Sequence, residues 1–67
     1  MKNRIRVARA EVRITQQQLA EAIGVSRQTI NAIESGKFVP STVLALKMAQ
    51  IFEKPVEEIF ILDDEDL

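Results

Sequence analysis

The chain has 67 residues, of which 46% are hydrophobic and 28% charged, and a net charge of -1. This length predicts one domain and excludes a two-domain enzyme, while the apolar content excludes a disordered chain. Cysteine and histidine are both absent. Their absence removes disulfides, thiolate nucleophiles and the commonest general base and zinc ligands, so we expect neither a metal nor a cofactor.

The apolar runs are too short for a membrane segment. The longest runs have four residues, as at 59–62, whereas a helix needs about 20 to cross a bilayer. The first residues show no secretion signal, because no unbroken apolar stretch follows them. We therefore expect a cytoplasmic protein that does not bind membranes.

Charge is unevenly distributed along the chain. Residues 1–47 carry eight basic side chains against three acidic ones, a net of +5, and residues 48–67 carry one against seven, a net of -6. A basic front and an acidic rear would orient the molecule toward a polyanion such as nucleic acid. Random clustering of solvated charges is the alternative, so charge alone does not decide the function.

Apolar residues at helical spacing predict a first amphipathic helix from about Asn3 to Glu11 or Val12. Within it Ile5, Ala8 and Val12 recur at i, i+3 and i+7, and arginines lie between them. The outer face of this helix is therefore basic.

A capping box predicts the start of a second helix at Gln16. Thr15 is followed three residues later by Gln18, and each side chain of this pattern satisfies a free backbone N–H. Gly24 then ends the helix, since glycine adopts a positive φ at no steric cost. The expected buried stripe consists of Leu19, Ala20 and Ile23.

A third helix follows after one further residue. Ser26 is a favourable N-cap, and the helix is expected to run through Glu34 with Ile30 and Ile33 facing inward. Two short helices joined by a tight glycine turn, with aliphatic inner faces, are typical of a helix-turn-helix.

Proline and serine mark the remaining elements. Ser41 caps a fourth helix to about Phe52, and Pro55 opens a fifth, brief turn of helix through Ile59. No segment alternates in the manner of a strand, although the end at 60–62 is compatible with extended structure.

The outward face of the third helix carries side chains that suit base recognition. Arginine pairs with O6 and N7 of guanine, while glutamine and asparagine pair with N6 and N7 of adenine. The alternative is that any solvent-exposed helix is polar, but here the turn and the exposed side chains agree. The outward residues are Ser26, Arg27, Gln28, Thr29 and Asn31.

The segment Thr15–Lys37 resembles the phage-repressor and Cro type of regulator, also called the xenobiotic-response-element family. The match extends to residues 40–41, 45–49 and 57–60. It implies an all-α, five-helix, lambda-repressor-like DNA-binding domain over residues 1–62, followed by a solvated acidic tail at 63–67. Such proteins usually bind two-fold operators on double-stranded DNA as homodimers.

The resemblance also implies roles for individual residues. Helix N-termini favour phosphate, which gives Gln16 an independent rationale. Base contacts are expected from Arg27, Gln28, Thr29 and Asn31, and phosphate contacts from Gln16, Ser26 and Lys37. Arg9 and Glu34 match a partly buried salt bridge that joins the first and third helices. A phosphate contact is the alternative role for Arg9.

The fourth helix bears more apolar residues than one core face requires. At 100° per residue Thr42, Ala45, Met48, Ala49 and Phe52 should face the core. The remaining apolar residues predict a dimer surface, although scattered surface aliphatics are common. This predicted surface consists of Val43, Leu44, Ile51, Ile61 and Leu62.

One departure from the family concerns the turn after the fourth helix. Family members often have a glycine there, whereas this chain has Glu53-Lys54-Pro55. We expect the fixed φ of Pro55 to close the turn instead.

Together these features predict a sequence-specific transcriptional regulator, a repressor that inserts its third helix (26–34) into the major groove as a homodimer. The alternative is a protein-interaction module, such as an antitoxin or adaptor with an unidentified protein partner, that uses the helix-turn-helix partly as a scaffold. An enzyme is not expected, since the acids form no recognisable paired site.

Overall fold

The computed structural model describes all 67 residues. They form four α-helices, a two-stranded sheet and two single turns of 3-10 helix, at 56–58 and 64–66. No helix combines the length and the apolar character that crossing a bilayer requires. In chain order the strands and α-helices are β1 (Lys2–Asn3), α1 (Ile5–Val12), α2 (Gln16–Ile23), α3 (Arg27–Glu34), α4 (Thr42–Phe52) and β2 (Phe60–Ile61).

Short polar side chains begin three of the four helices. Thr15 Oγ1 accepts a hydrogen bond from the Gln18 N–H at 3.0 Å, and Gln18 Oε1 accepts one from the Thr15 N–H at 2.8 Å. The capping box is therefore confirmed. The hydroxyls of Ser26 and Ser41 each accept the N–H three residues further on, at 3.1 and 3.2 Å. These caps satisfy donors that the first turn of a helix leaves free.

The chain begins as a strand rather than as part of α1. Lys2 lies opposite Ile61 and Asn3 opposite Phe60 in an antiparallel pair. The extended end expected at 60–62 is thus present, but the sequence did not indicate its partner. Two residues are too few to show the alternation by which a strand is recognised.

The five-helix count that the resemblance implies is wrong, and the brief turn of helix expected from Pro55 through Ile59 is of the 3-10 type. Residues Val56–Glu58 form one turn of 3-10 helix, after Pro55 in an extended conformation. The following residue, Ile59, is fully buried, and its carbonyl accepts the Arg4 N–H at 2.8 Å. The chain must therefore enter the core and the sheet at once, which leaves no room for a further turn.

Two non-glycine residues end helices in the left-handed region. Arg13 follows α1 with φ 60°, and Glu53 follows α4 with φ 54°. The expectation that Pro55 closes the turn after α4 is wrong, because Glu53 itself adopts the left-handed conformation that glycine usually provides there. A side chain in this region costs about 1 to 2 kcal/mol. Gly24 adopts φ 78° between α2 and α3, as predicted.

One apolar core joins all four helices and the segment after α4. Val12 of α1 and Thr42 of α4, both expected to face inward, are exposed. The fully buried residues of α4 are Met48 and Phe52. Ile51, which the helical projection directed outward, and Leu44, which it placed on the flank, both pack against this core. The ten buried residues are Ile5, Ala8, Leu19, Ala20, Ile23, Ile30, Ile33, Met48, Phe52 and Ile59.

Candidate nucleic-acid interface

The turn between α2 and α3 determines which face of α3 is exposed. The N–H groups of Gly24 and Val25 both donate to the Ala20 carbonyl, at 2.9 and 3.0 Å. Ala20 is fully buried, and Ile30 and Ile33 bind α3 to the core. The opposite face of α3 therefore points to solvent.

This exposed face forms an open groove with the loop that follows it. Arg27, Gln28 and Asn31 line the groove together with Lys37, and Gln17 of α2 borders it. Four residues predicted to contact DNA thus lie together. Neither cation is in an ion pair with a carboxylate. Their charges are consequently free to attract an anion.

Ser26 and Thr29 lie at the start of the same helix. The Ser26 hydroxyl accepts the Thr29 N–H, and the two side-chain oxygens are 3.0 Å apart. Thr29 lies on the flank of α3 beside Phe38 and outside the groove of Arg27. Both hydroxyls are therefore already engaged with each other in the free protein.

Gln16 lies at the start of α2 beside Arg27. Its side-chain nitrogen donates to Glu34 Oε1 at 3.2 Å and to Asn31 Oδ1 at 3.4 Å. An amide nitrogen has two hydrogens, so both are used within the protein. What Gln16 offers outward is its backbone N–H, one of those that the first turn leaves unpaired.

Arg9 and Glu34 form a bidentate ion pair behind the groove. Arg9 Nε lies 2.7 Å and Nη2 3.2 Å from the two Glu34 oxygens, and Nη1 donates to the Ile14 carbonyl at 3.1 Å. The Glu34 side chain is 2% exposed and that of Arg9 15%. Arg6, which is 81% exposed, approaches Glu34 only to 3.8 Å. The pair attaches α1 to the end of α3.

Asn3 supports α3 in a way that the sequence did not indicate. Its Nδ2 donates to the carbonyls of Ile33 and Glu34 at 3.0 and 3.3 Å, and its Oδ1 accepts the Ile5 N–H at 3.2 Å. Asn3 therefore satisfies the end of α3 and the start of α1 together. Asparagine before a helix indicates a cap, but no local pattern reveals a contact 30 residues away.

Comparison with known proteins agrees with this geometry. A helix-turn-helix family model matches residues 5–59, which include all four helices. The chain belongs to the helix-turn-helix family of the Cro and phage-repressor type. The predicted resemblance is thereby confirmed.

Relatives of this family match the chain over its whole length. A regulator of Methanocaldococcus jannaschii is 50% identical over 66 residues, 98% of this chain and 100% of its own. One of Archaeoglobus fulgidus is 48% identical, covering 100% and 96%, and YgzD of Bacillus subtilis is 44% identical, covering 98% and 100%. All three are named as HTH-type transcriptional regulators. This chain is a DNA-binding transcription regulator and not an enzyme.

The apolar residues predicted for a dimer surface of this regulator do not form one patch. Leu44 and Ile51 turn toward the core. Ile61 lines a cleft beside α1, whereas its neighbour Phe60 faces a different groove, since successive strand residues point to opposite sides. Val43 and Leu62 are 62% and 65% exposed.

A second, mainly apolar groove lies at the start of α4. Val39 and Leu46, 64% and 53% exposed, line it together with Phe60. Helical projection did not single out Leu46, because the excess of apolar residues in α4 leaves its faces poorly distinguished.

Proposed function

We propose that this regulator is a repressor that binds a specific sequence in double-stranded DNA as a homodimer, with α3 in the major groove. The observation that carries the proposal is the groove of Arg27, Gln28, Asn31 and Lys37, in which both cations lack a carboxylate partner. Occupancy of the operator is the proposed mechanism, since a bound dimer blocks access to the DNA beneath it.

The predicted contacts have two roles in this proposal, base recognition and phosphate binding. Arg27, Gln28 and Asn31 read base edges from the exposed face of α3, with Thr29 alongside. Lys37 binds phosphate through its charge, and Ser26 does so at the start of α3. Gln16 contributes its backbone N–H at the start of α2, where the helix dipole also favours an anion.

The homodimer is proposed to form through the exposed apolar side chains around α4. Val43, Ile61 and Leu62 of the predicted surface remain exposed, and the groove of Val39 and Leu46 adds to the apolar side chains beside α4. Leu44 and Ile51 contribute indirectly, since they support α4 from the core side. Covering these side chains with a second copy would remove apolar area that a small domain leaves in water.

The apolar groove also favours a second candidate, a protein-interaction module such as an antitoxin or adaptor. The salt dependence of binding distinguishes the two functions. DNA binding should weaken steeply as salt rises, with a slope set by the number of phosphates neutralised. Association through Val39 and Leu46 should respond little to salt.

The decisive experiment is selection from random 30-base-pair duplexes, on the order of three helical turns, at near-physiological salt. We expect an enriched two-fold motif whose half-sites lie about one turn apart. Enrichment of a single half-site would contradict the homodimer. No enrichment would contradict specific recognition and favour the interaction module.

Two variants test the contacts within that assay. Arg27→Ala should cost about 1 to 3 kcal/mol and relax the preference at one base pair. Lys37→Ala should weaken all sequences alike and reduce the salt slope by about one. Lys47→Ala is the matched control on α4 and should change neither. Unchanged selectivity in Arg27→Ala would refute the base contact.

A further inference from the structure

A further shallow groove lies along the flank of α3 that bears Thr29. Gln28, Thr29, Ala32 and Phe38 line it, and most of the lining is apolar. We call this surface the Phe38 groove. Gln28 and Ala32 also border the groove of Arg27, so the two grooves share one ridge of α3. The Phe38 groove is therefore continuous with the face that the proposed function places in the major groove.

The Phe38 ring is held beside α3 but does not belong to the core. It is 50% exposed, and the ten buried core residues do not include it. The backbone N–H groups of Lys37 and Phe38 both donate to the Ala32 carbonyl, at 2.9 and 3.2 Å. These hydrogen bonds fasten the loop to the end of α3. The aromatic wall of the groove is thus in place before DNA binds, and an apolar ligand would remove its exposed surface from water.

The remaining walls leave room for one small apolar group. The Thr29 hydroxyl is engaged with the Ser26 hydroxyl at 3.0 Å, which leaves the Thr29 methyl group for the groove. Ala32 lies four residues after Gln28 on the same face of the helix and carries only a methyl group, so its side chain does not fill the groove. The exposed amide of Gln28 is the polar group at the rim.

The small apolar group that the major groove of DNA presents is the methyl group on C5 of thymine. Cytosine has a hydrogen on C5, and methylation of cytosine places the same methyl group at the same ring position. The two methylated bases differ at C4, where thymine accepts a hydrogen bond and cytosine donates one. A glutamine amide both donates and accepts, so Gln28 suits either base. What the Phe38 groove distinguishes is the presence of the methyl group.

We propose that the Phe38 groove receives the C5 methyl group of one operator pyrimidine, so that methylation of a cytosine at this position strengthens binding by the regulator. The inference rests on the proposed function, because it requires α3 to lie in the major groove. It adds a dependence on the methylation state of the DNA, which the contacts of Arg27 and Asn31 do not imply.

The test measures affinity for duplexes that carry the selected motif and differ by one methyl group. Each thymine of a half-site is replaced in turn by uracil, and the pair that responds is then changed to cytosine or 5-methylcytosine opposite guanine. We expect thymine to bind about fourfold more tightly than uracil at one position, the factor for burying one carbon. At that position 5-methylcytosine should exceed cytosine by a similar factor. Each comparison keeps the base pair and changes the methyl group alone.

Variants of Phe38 show whether this groove reads the methyl group. Phe38→Ala should reduce both ratios to below about 1.5-fold, whereas Phe38→Leu keeps an apolar wall and should retain about twofold. Val7→Ala is the matched control, because Val7 is 45% exposed and lies on α1, outside both grooves of α3. It should change neither ratio. Circular dichroism should show all three variants folded, since neither side chain is in the core.

Three results would overturn the inference. Equal affinity for thymine and uracil at every position would mean that no methyl group is read. A preference for thymine without one for 5-methylcytosine would remove the dependence on methylation. A uniform loss of affinity in Phe38→Ala with both ratios unchanged would assign the ring to the sugar–phosphate backbone. A wild type that enriches no motif refutes the proposed function itself, so the two failures are distinguishable.

Discussion

Replacing Glu34 with alanine should remove a large part of the stability of this domain. The Glu34 carboxylate accepts hydrogen bonds from Arg9 Nε, Arg9 Nη2 and Gln16 Nε2 at 2.7 to 3.2 Å. In Glu34→Ala the Arg9 guanidinium, 15% exposed, keeps only the Ile14 carbonyl as a partner. The variant therefore leaves a largely buried cation without its counter-charge.

The magnitude follows from the burial of this pair. Breaking a buried ion pair typically costs about 3 to 5 kcal/mol. Because Arg9 retains some exposure and one carbonyl contact, we expect the lower end, about 3 kcal/mol. A domain of this length is stable by roughly 3 to 10 kcal/mol in total. Glu34→Ala should thus remove about a third of that stability or more.

Urea denaturation followed by far-UV circular dichroism measures this loss. The chain has no tryptophan or tyrosine, so fluorescence is a poor probe, whereas four helices yield a strong dichroism signal. All variants are compared at one protein concentration, because the unfolding of the proposed homodimer would depend on it. The free-energy difference follows from the shift of the midpoint at constant m-value.

A matched control removes an exposed carboxylate from a neighbouring helix. Glu21 on α2 is exposed and has no ion-pair partner, so Glu21→Ala should change stability by no more than about 0.5 kcal/mol. A Glu34→Ala loss below about 1 kcal/mol would refute the reasoning, since it would mean that Arg9 finds water instead of staying buried.

Three further predictions concern stability. Glu53→Gly should stabilise the protein by about 0.5 to 1 kcal/mol and raise its Tm by a few degrees, because it relieves the positive φ of 54°; Glu53→Ala keeps the strained Cβ, and an equal gain there would contradict this. Asn3→Ala should cost about 1 to 3 kcal/mol in urea, since it removes both Nδ2 hydrogen bonds to the end of α3, although the Ile33 carbonyl keeps the Gly36 N–H at 3.1 Å. A loss within the error of the midpoint would contradict this. The Asp63 N–H and the N-terminal ammonium lower the pKa of Asp66 below its ordinary 3.8. The stability that the ionised Asp66 carboxylate adds is therefore complete above pH 3.8 and is lost as the pH falls through its folded pKa. An NMR titration midpoint of Asp66 at or above 3.8 would refute this prediction.

The sequence predicted most of the helical framework, because the signals for it are local. A capping box, a serine cap and a glycine stop each involve residues within four positions of one another. The sequence therefore predicted the starts of α2, α3 and α4 and the turn at Gly24 without any tertiary information. The family followed from the same stretch, Thr15–Lys37, confirmed by the match over residues 5–59.

The remaining features depended on contacts between distant segments. The pairing of Lys2–Asn3 with Phe60–Ile61 joins the two ends of the chain. It shortens α1 at its start and leaves one 3-10 turn where a five-helix fold would have its last helix. Helical projection placed Ile51 outward and Leu44 on the flank, because the many apolar residues of α4 leave the centre of its core face poorly defined. Leu44, Met48, Ile51 and Phe52 in fact lie on one face of α4, at i, i+4, i+7 and i+8, and pack into the core.

Sequence by itself determined which residues form helices and which α3 side chains have the chemistry to read bases. Tertiary structure decided how those side chains are presented. Asn31 is an amide in either account, but only the structure shows that its Oδ1 accepts from Gln16 Nε2, 15 residues earlier, and that this nitrogen also donates to the buried Glu34 carboxylate. The physical reason is range: backbone caps and helical periodicity act within one or two turns, whereas the orientation of a side chain depends on partners that only the packing of α1, α2 and α3 brings together.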